Sequence, residues 1–318
     1  MTPRGTSEST AASSAQPSQR TAFVLLLAII LVWGANWPIM KLGLDYIGPL
    51  TFAAARLALG AAVLFLVLAL RGELHWPSRQ AMPVVLSVGL LQLAGFLIFV
   101  NLGLRDVEAS RSAILSYTTM IWVTPAAVWL LGERLSRLKI GGVACGLAGV
   151  AVMFNPASFD WDDQRALVGN LLMLAAALAW AIGIVHVRAH RWQQSALALA
   201  PWQMLVGLAP TGLLAVAWEY DQPILWSAEL LAVLAYNGPI ATAFALWAWV
   251  SVNRGLPAIA SSMGSLGVPV AGVALSTLVL GEVLTFEILA GLALISLGLI
   301  LVSLEANRQS KRPDERIR

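Results

Sequence analysis

Charge is what this chain has least of. Only 12% of its 318 residues are Asp, Glu, Lys or Arg, too few to cover the surface of a water-soluble domain. There is a single cysteine, Cys145, which excludes an internal disulfide and any cysteine-based metal cluster. Set in an apolar run, it reads as a small packing residue. The three histidines, His75, His186 and His190, stand at no metal-ligand spacing and beside no nucleophile. No loop is long enough for a soluble catalytic or signalling domain. These gaps weigh against an integral membrane enzyme and against a sensor or scaffold. No cofactor and no metal is expected.

Apolar length fills the chain instead. Hydrophobic residues make up 58% of it and the mean hydropathy is +0.77. Many runs approach the ~20 apolar residues needed to cross a bilayer. In lipid each span must satisfy its own backbone groups, so the spans are read as helices and the fold as an all-α integral membrane protein. Ten spans are expected, near 22–41, 49–70, 81–101, 109–131, 137–154, 168–187, 198–218, 229–252, 257–280 and 286–304. Residues 1–20, rich in Ser, Thr, Ala and Gln, read as a disordered tail, and 305–318 as a charged one. The first span is too long for a signal peptide and carries Trp33, Asn36, Trp37 and Pro38 in its second half, so it is retained as a helix. The basic pI of about 9.3 is no sign of nucleic-acid binding, because the excess Lys and Arg sits at span ends.

The chain says nearly the same thing twice. LLGERLSRLKIGGVACGLAGVAVM, from Leu130, aligns without a gap on VLGEVLTFEILAGLALISLGLILV, from Val279. The shared positions include Gly132/Gly281, Glu133/Glu282, Gly142/Gly291 and Gly149/Gly298. A repeat of about half the chain in so apolar a protein points to a transporter of two related halves, 21–155 and 156–304. Lys and Arg favour both termini on the cytoplasmic side, with only Lys41, Arg105, Arg111 and Arg165 outside and Arg56 within a span. Five spans per half is odd, so the second half enters from the opposite face. That makes the expected fold two inverted five-helix repeats, with Glu133 and Glu282 at opposite faces. Trp33 and Trp180 also correspond, as do Ser112/Ser261 and Ser116/Ser265.

The WGANWPIMKLGL of span one resembles the drug/metabolite transporter superfamily, and within it the ten-helix EamA-type members. So do Pro49 and Arg56 in PLTFAAARLALG, and the segments Ser110 to Pro125 and Ser261 to Pro269, each closing on LGE. The resemblance implies a basket of helices around a central cavity lined by spans one, three, four, six, eight and nine. It implies small-molecule substrates among amino acids, other metabolites and drugs, often exported. Two positions depart from the pattern. Met120 stands where the second half has Pro269, and Leu208 stands where the first half has Arg56.

Several residues are candidates for the cavity. Trp33, Asn36 and Trp37 share one helical face; they read either as a substrate wall or as an interfacial belt with an interhelical amide. Gln92, Phe96 and Phe99 form a stripe in span three that suits an apolar pocket with few polar anchors, or plain packing. Ser116 in span four and Ser261 and Ser265 in span nine read first as close-packing residues, with Tyr117 and Met120 the better cavity candidates beside them. Trp180, Tyr236 and Asn237 are favoured in spans six and eight. Arg56 is the one charge well inside a span; it meets a substrate carboxylate or an acid such as Asp45 or Asp106. Glu133 and Glu282 read as turn and gate residues, with Gly132 and Gly281 ending one helix and Ser136 and Thr285 capping the next. Gly142, Gly146 and Gly149 offer a G-x-x-x-G face, expected to pack within a monomer rather than to form a homodimer.

No acid lies in the middle third of any span, which favours facilitated export or exchange over ion coupling. The function expected is inner-membrane transport of small organic metabolites, amino acids first, by alternating access. A multidrug exporter is the alternative, followed by a carrier of nucleotide sugars or phosphorylated metabolites, although a phosphate would need more inward cations than Arg56 alone.

Overall fold

A computed structural model describes residues 18–131, 136–154, 162–190, 194–256 and 266–310. Every regular element among them is helical. In chain order these are α1 (Gln19–Gly43), α2 (Pro49–Leu70), α3 (Met82–Asp106), α4 (Ala109–Ser116 and Thr119–Leu131), α5 (Arg137–Phe154), α6 (Gln164–Ala189), α7 (Ala196–Glu219), α8 (Ala228–Gly255), α9 (Gly267–Leu280) and α10 (Phe286–Ser310). Among the described residues, eight helices are long and apolar enough to cross a bilayer; α9 is apolar but shorter. This fits an all-α membrane protein.

Local chemistry sets many helix ends. The hydroxyls of Ser18, Ser195 and Ser227 and the carboxylate of Asp163 each accept the backbone N–H three residues on. Pro49 opens α2, where its missing N–H is not needed. Gly281 ends α9 at φ 68°, and its N–H returns to the Thr277 carbonyl. Thr285 and Ser136 then cap α10 and α5, as expected.

Three helices depart from regular α geometry. α4 breaks at Tyr117–Thr118 into two pieces, whose short turn is closed by Tyr117 N–H on Ile114 O and Thr118 N–H on Leu115 O. α3 widens into a π-helical segment at Val88–Gly95, and α8 does so at Tyr236–Phe244. These two segments fall at matching places in the two halves. In α8, Pro239 lies inside the widened turns, where it lacks an N–H to donate. The Thr242 hydroxyl meets the Asn237 carbonyl five residues back at 2.7 Å.

Packing between halves follows one pattern. α1 packs on α9 as α6 packs on α4, α8 on α1 as α3 on α6, and α2 on α8 as α7 on α3. The pairs α2–α7, α4–α9 and α5–α10 each join a helix to its own counterpart. α5 and α10 cross antiparallel along glycine: Gly142 abuts Gly298 and Gly149 abuts Gly291, close enough that a Cβ at Gly142 would lie 2.8 Å from the Gly298 carbonyl oxygen. The G-x-x-x-G face therefore packs inside the chain. α2 and α7 are antiparallel too, with Leu50 beside Glu219 and Phe65 against Trp202. The largest buried core joins residues of both halves, among them Phe52, Leu115, Met173, Leu234 and Ile295.

Candidate functional site

Trp33 and Trp180, matched in the repeat, occupy matched contacts. On α1, Trp33 Nε1 donates to the Ala241 carbonyl in the π segment of α8 at 3.1 Å, and its ring lies 5.7 Å from that of Trp249. On α6, the Trp180 carbonyl accepts from Gln92 Nε2 in the π segment of α3 at 3.3 Å, and the Trp180 ring lies 4.8 Å from that of Phe96. In both places a tryptophan helix meets the helix carrying the π segment through a hydrogen bond at that segment and a ring pair just beyond it. The donor sits on the tryptophan helix in one case and on the π segment in the other. Tyr236 strengthens the first contact, its hydroxyl donating to the Val32 carbonyl at 2.6 Å.

A polar cluster lies alongside, where α1, α2 and α8 meet. Arg56 is buried. Its Nε donates to Thr242 Oγ1 at 2.8 Å and its Nη1 to Met40 Sδ at 3.1 Å. Among the described residues Arg56 forms no ion pair; neither Asp45 nor Asp106 reaches it. Asn36 Nδ2 shares the same sulfur at 3.0 Å, and its buried Oδ1 has no partner. Asn237 is fully buried and turns its Nδ2 back to the Val233 carbonyl of its own helix, leaving Oδ1 unpaired.

The remaining candidates are more dispersed. Trp37 is buried in the main core, with Phe99 packed against its edge. Ser116 is buried with its hydroxyl unpaired. Tyr117 turns toward a crevice between α4, α5 and α10, lined also by Ile121, Gly146 and Leu299. Met120 belongs to α4, but its side chain, like Glu133, Ser261 and Ser265, lies outside the described residues.

Glu282 closes one end of the bundle. Its carboxylate accepts the Ala109 and Ser110 N–H groups at 2.7 and 2.9 Å, capping α4 across the half boundary. Lys41 holds the other side of the same turn, donating to the carbonyls of Leu104, Arg105 and Val107 at 2.6, 3.1 and 2.9 Å. Glu108, between the two, has its carboxyl raised above the usual carboxylate range by burial and then by Glu282, against the lowering pull of Arg111 and Lys41.

Sequence reasoning missed Glu219, which caps α2 from the last residue of α7. It accepts from Leu50 N at 3.0 Å and from Thr51 N and Oγ1 at 2.8 Å. The same reasoning missed Thr242 and Met40. Thr242 had no counterpart or pattern to mark it, and the Glu219 cap joins residues 168 apart, which no local capping pattern shows.

The same family model matches twice, at residues 20–155 and 167–304, and its description is EamA-like transporter family. The chain belongs to the EamA-like transporter family. Curated relatives of similar length match this chain along nearly their whole sequence. The uncharacterized transporter YoaV of Bacillus subtilis is 28% identical over 284 residues, spanning 89% of this chain and 97% of its own. A protein named "Probable amino-acid metabolite efflux pump" in Salmonella typhimurium is 27% identical over 297 residues (89% of this chain, 95% of its own). One of the same name in Escherichia coli is 25% identical over 288 residues (87% and 93%). A solved crystal structure covers 90% of this chain and 99% of its own at TM-score 0.62 and 22% identity, which shows a common fold. Family and relatives together indicate a multi-pass membrane transporter rather than an enzyme.

Proposed function

We propose that this EamA-family protein exports or exchanges small organic metabolites, amino acids first among them, across the cell inner membrane. In this reading all ten helices cross the bilayer as two inverted repeats, both termini are cytoplasmic, and the substrate passes through a cavity between the halves. The observation that carries it is the doubled contact of Trp33 with α8 and Trp180 with α3. Two equivalent interfaces, each joining a tryptophan helix to a π segment, give the halves two interchangeable relations. A change that loosens one and tightens the other turns an opening on one face into an opening on the opposite face.

Rings and amides dominate these contacts, and among the described residues Arg56 is the one cation beside them, which suits a compact amphipathic substrate with a single negative group. The names of the efflux-pump relatives point the same way. No acid lies mid-helix, so the carrier runs on the substrate's own gradient. The test is counterflow in liposomes with labelled amino acids, with and without a proton gradient. Accumulation of one or more amino acids without a gradient is the expected result. Exchange of none of them removes amino acids as the substrate, and strict dependence on the gradient overturns uncoupled transport.

A further inference from the structure

Arg56 is a permanent charge in an expensive place. A guanidinium is protonated at any physiological pH, and an ion held among helices inside a membrane protein is paired or functional. The partners of Arg56 are a hydroxyl and a thioether, both neutral, and sulfur is a weak acceptor. The residue retains 9% of its surface. Among the described residues, no acceptor meets its Nη2. Nε and Nη1 are thus each held by one neutral acceptor, and the N–H groups of Nη2 are uncommitted.

The surroundings are built for such a fork. Thr242 Oγ1 directs its own proton to the Asn237 carbonyl at 2.7 Å and so offers Arg56 Nε a lone pair, which fixes the plane of the group. Asn36 spends an N–H on Met40 Sδ, an acceptor easily exchanged for a better one, and lies more than nine-tenths buried with Oδ1 unpaired. The cluster has a cation, two amides and no described carboxylate. Its chemical complement is a monoanion with a planar pair of oxygens.

We propose that Arg56 is the receptor for the carboxylate of the transported metabolite, positioned by Thr242 and assisted by the Asn36 amide. This rests on the transport reading above and adds which group of the substrate is recognised. A single guanidinium balances a carboxylate and leaves a phosphate dianion half neutralised, so the site selects organic acids and amino acids over phosphorylated metabolites. Arg56 belongs to the first half and Thr242 to the second. The carboxylate therefore binds where the halves touch, and its arrival neutralises the charge that otherwise resists motion there.

The test uses the full-length protein in detergent, with isovalerate, isovaleramide and chloride as probes at constant ionic strength, read by thermal unfolding. Isovalerate raises the midpoint by several degrees at tens of millimolar, while isovaleramide and chloride do not. Arg56→Gln abolishes the isovalerate shift. Arg56→Lys, which keeps a charge but not the planar fork, retains a small part of it. Thr242→Val, which frees the guanidinium from its anchor, gives an intermediate loss. An equal shift with isovaleramide, an equal shift with chloride, or an undiminished shift in Arg56→Lys each overturns the proposal. Failure of amino acids in the counterflow assay leaves this measurement standing, so the two readings fail separately.

Discussion

The contact of α2 with α8 and the contact of α7 with α3 have the same geometry and different chemistry. In each, a glycine of a π segment lets two backbones meet. A Cβ on Gly238 would stand 2.4 Å from the Leu59 side chain, and one on Gly89 would stand 2.6 Å from Val206. Beyond the glycines the contacts diverge. The α7–α3 contact holds no charge among the described residues: Leu208 and Leu93 pack on an apolar core, and the buried polar residues of α7 nearby are the neutral Gln203 and Thr211. The α2–α8 contact holds Arg56, hydrogen-bonded to Thr242. The two joints match in geometry, and among the described residues only one of them holds a charge. Packing alone does not need that charge, since the other copy closes without it.

The strongest way to break the comparison is to put the charge in the wrong copy. Leu208→Arg places a cation in an uncharged contact with no Thr242 equivalent, and a cost of about 3 kcal/mol follows. A marked fall in thermal midpoint and in the monodisperse fraction on gel filtration is expected. A variant as stable as the parent would show that the uncharged contact tolerates charge. The converse, Arg56→Leu, removes a buried cation without a carboxylate partner, and a gain of about 1 kcal/mol is expected, with loss of carboxylate response. A destabilised Arg56→Leu protein would assign Arg56 a structural role.

Smaller effects test the end of the bundle. Glu282→Gln keeps the shape of the cap on α4 but removes its charge, for a loss of about 1 kcal/mol read by chemical unfolding. Glu108 gives the smallest effect. Its carboxyl is raised above the ordinary value, so the folded protein holds this proton more tightly than the unfolded chain does. Stability from this group is greatest in acid and declines as pH rises from the unfolded value through the folded one. Glu108→Gln should flatten that slope. A slope of opposite sign, or one unchanged in the variant, would mean another group titrates there.

Much of the fold was legible because lipid leaves the chain few choices. Apolar length located the helices. Gly281 and Thr285 sit in the cap roles their sequence suggested. What could not be read were the features that depend on where two distant helices cross. The break at Tyr117–Thr118 carries no proline or glycine. The π segment of α3 has no proline, and only its match with α8 gives it meaning. Arg56 was visible as a buried charge, but its partners were not, because a sulfur on α1 and a hydroxyl on α8 leave no periodic trace. Tyr117 was expected to belong with the other candidates, yet the turn that interrupts α4 aims it toward α5 and α10.

The glycine seam between α5 and α10 has a consequence for assembly. Gly142 meets Gly298 and Gly149 meets Gly291, and exchanging the halves turns each pair into the other. Each half thus offers the same surface that it receives, the defining property of an isologous interface. In the inverted-repeat reading proposed above, the chain corresponds to a two-fold dimer whose subunits are joined end to end. Joining lets a substitution enter one half alone, which no true homodimer can do, and Arg56, with no charged counterpart in the described residues of the matching contact, is the kind of asymmetry that becomes available once it can.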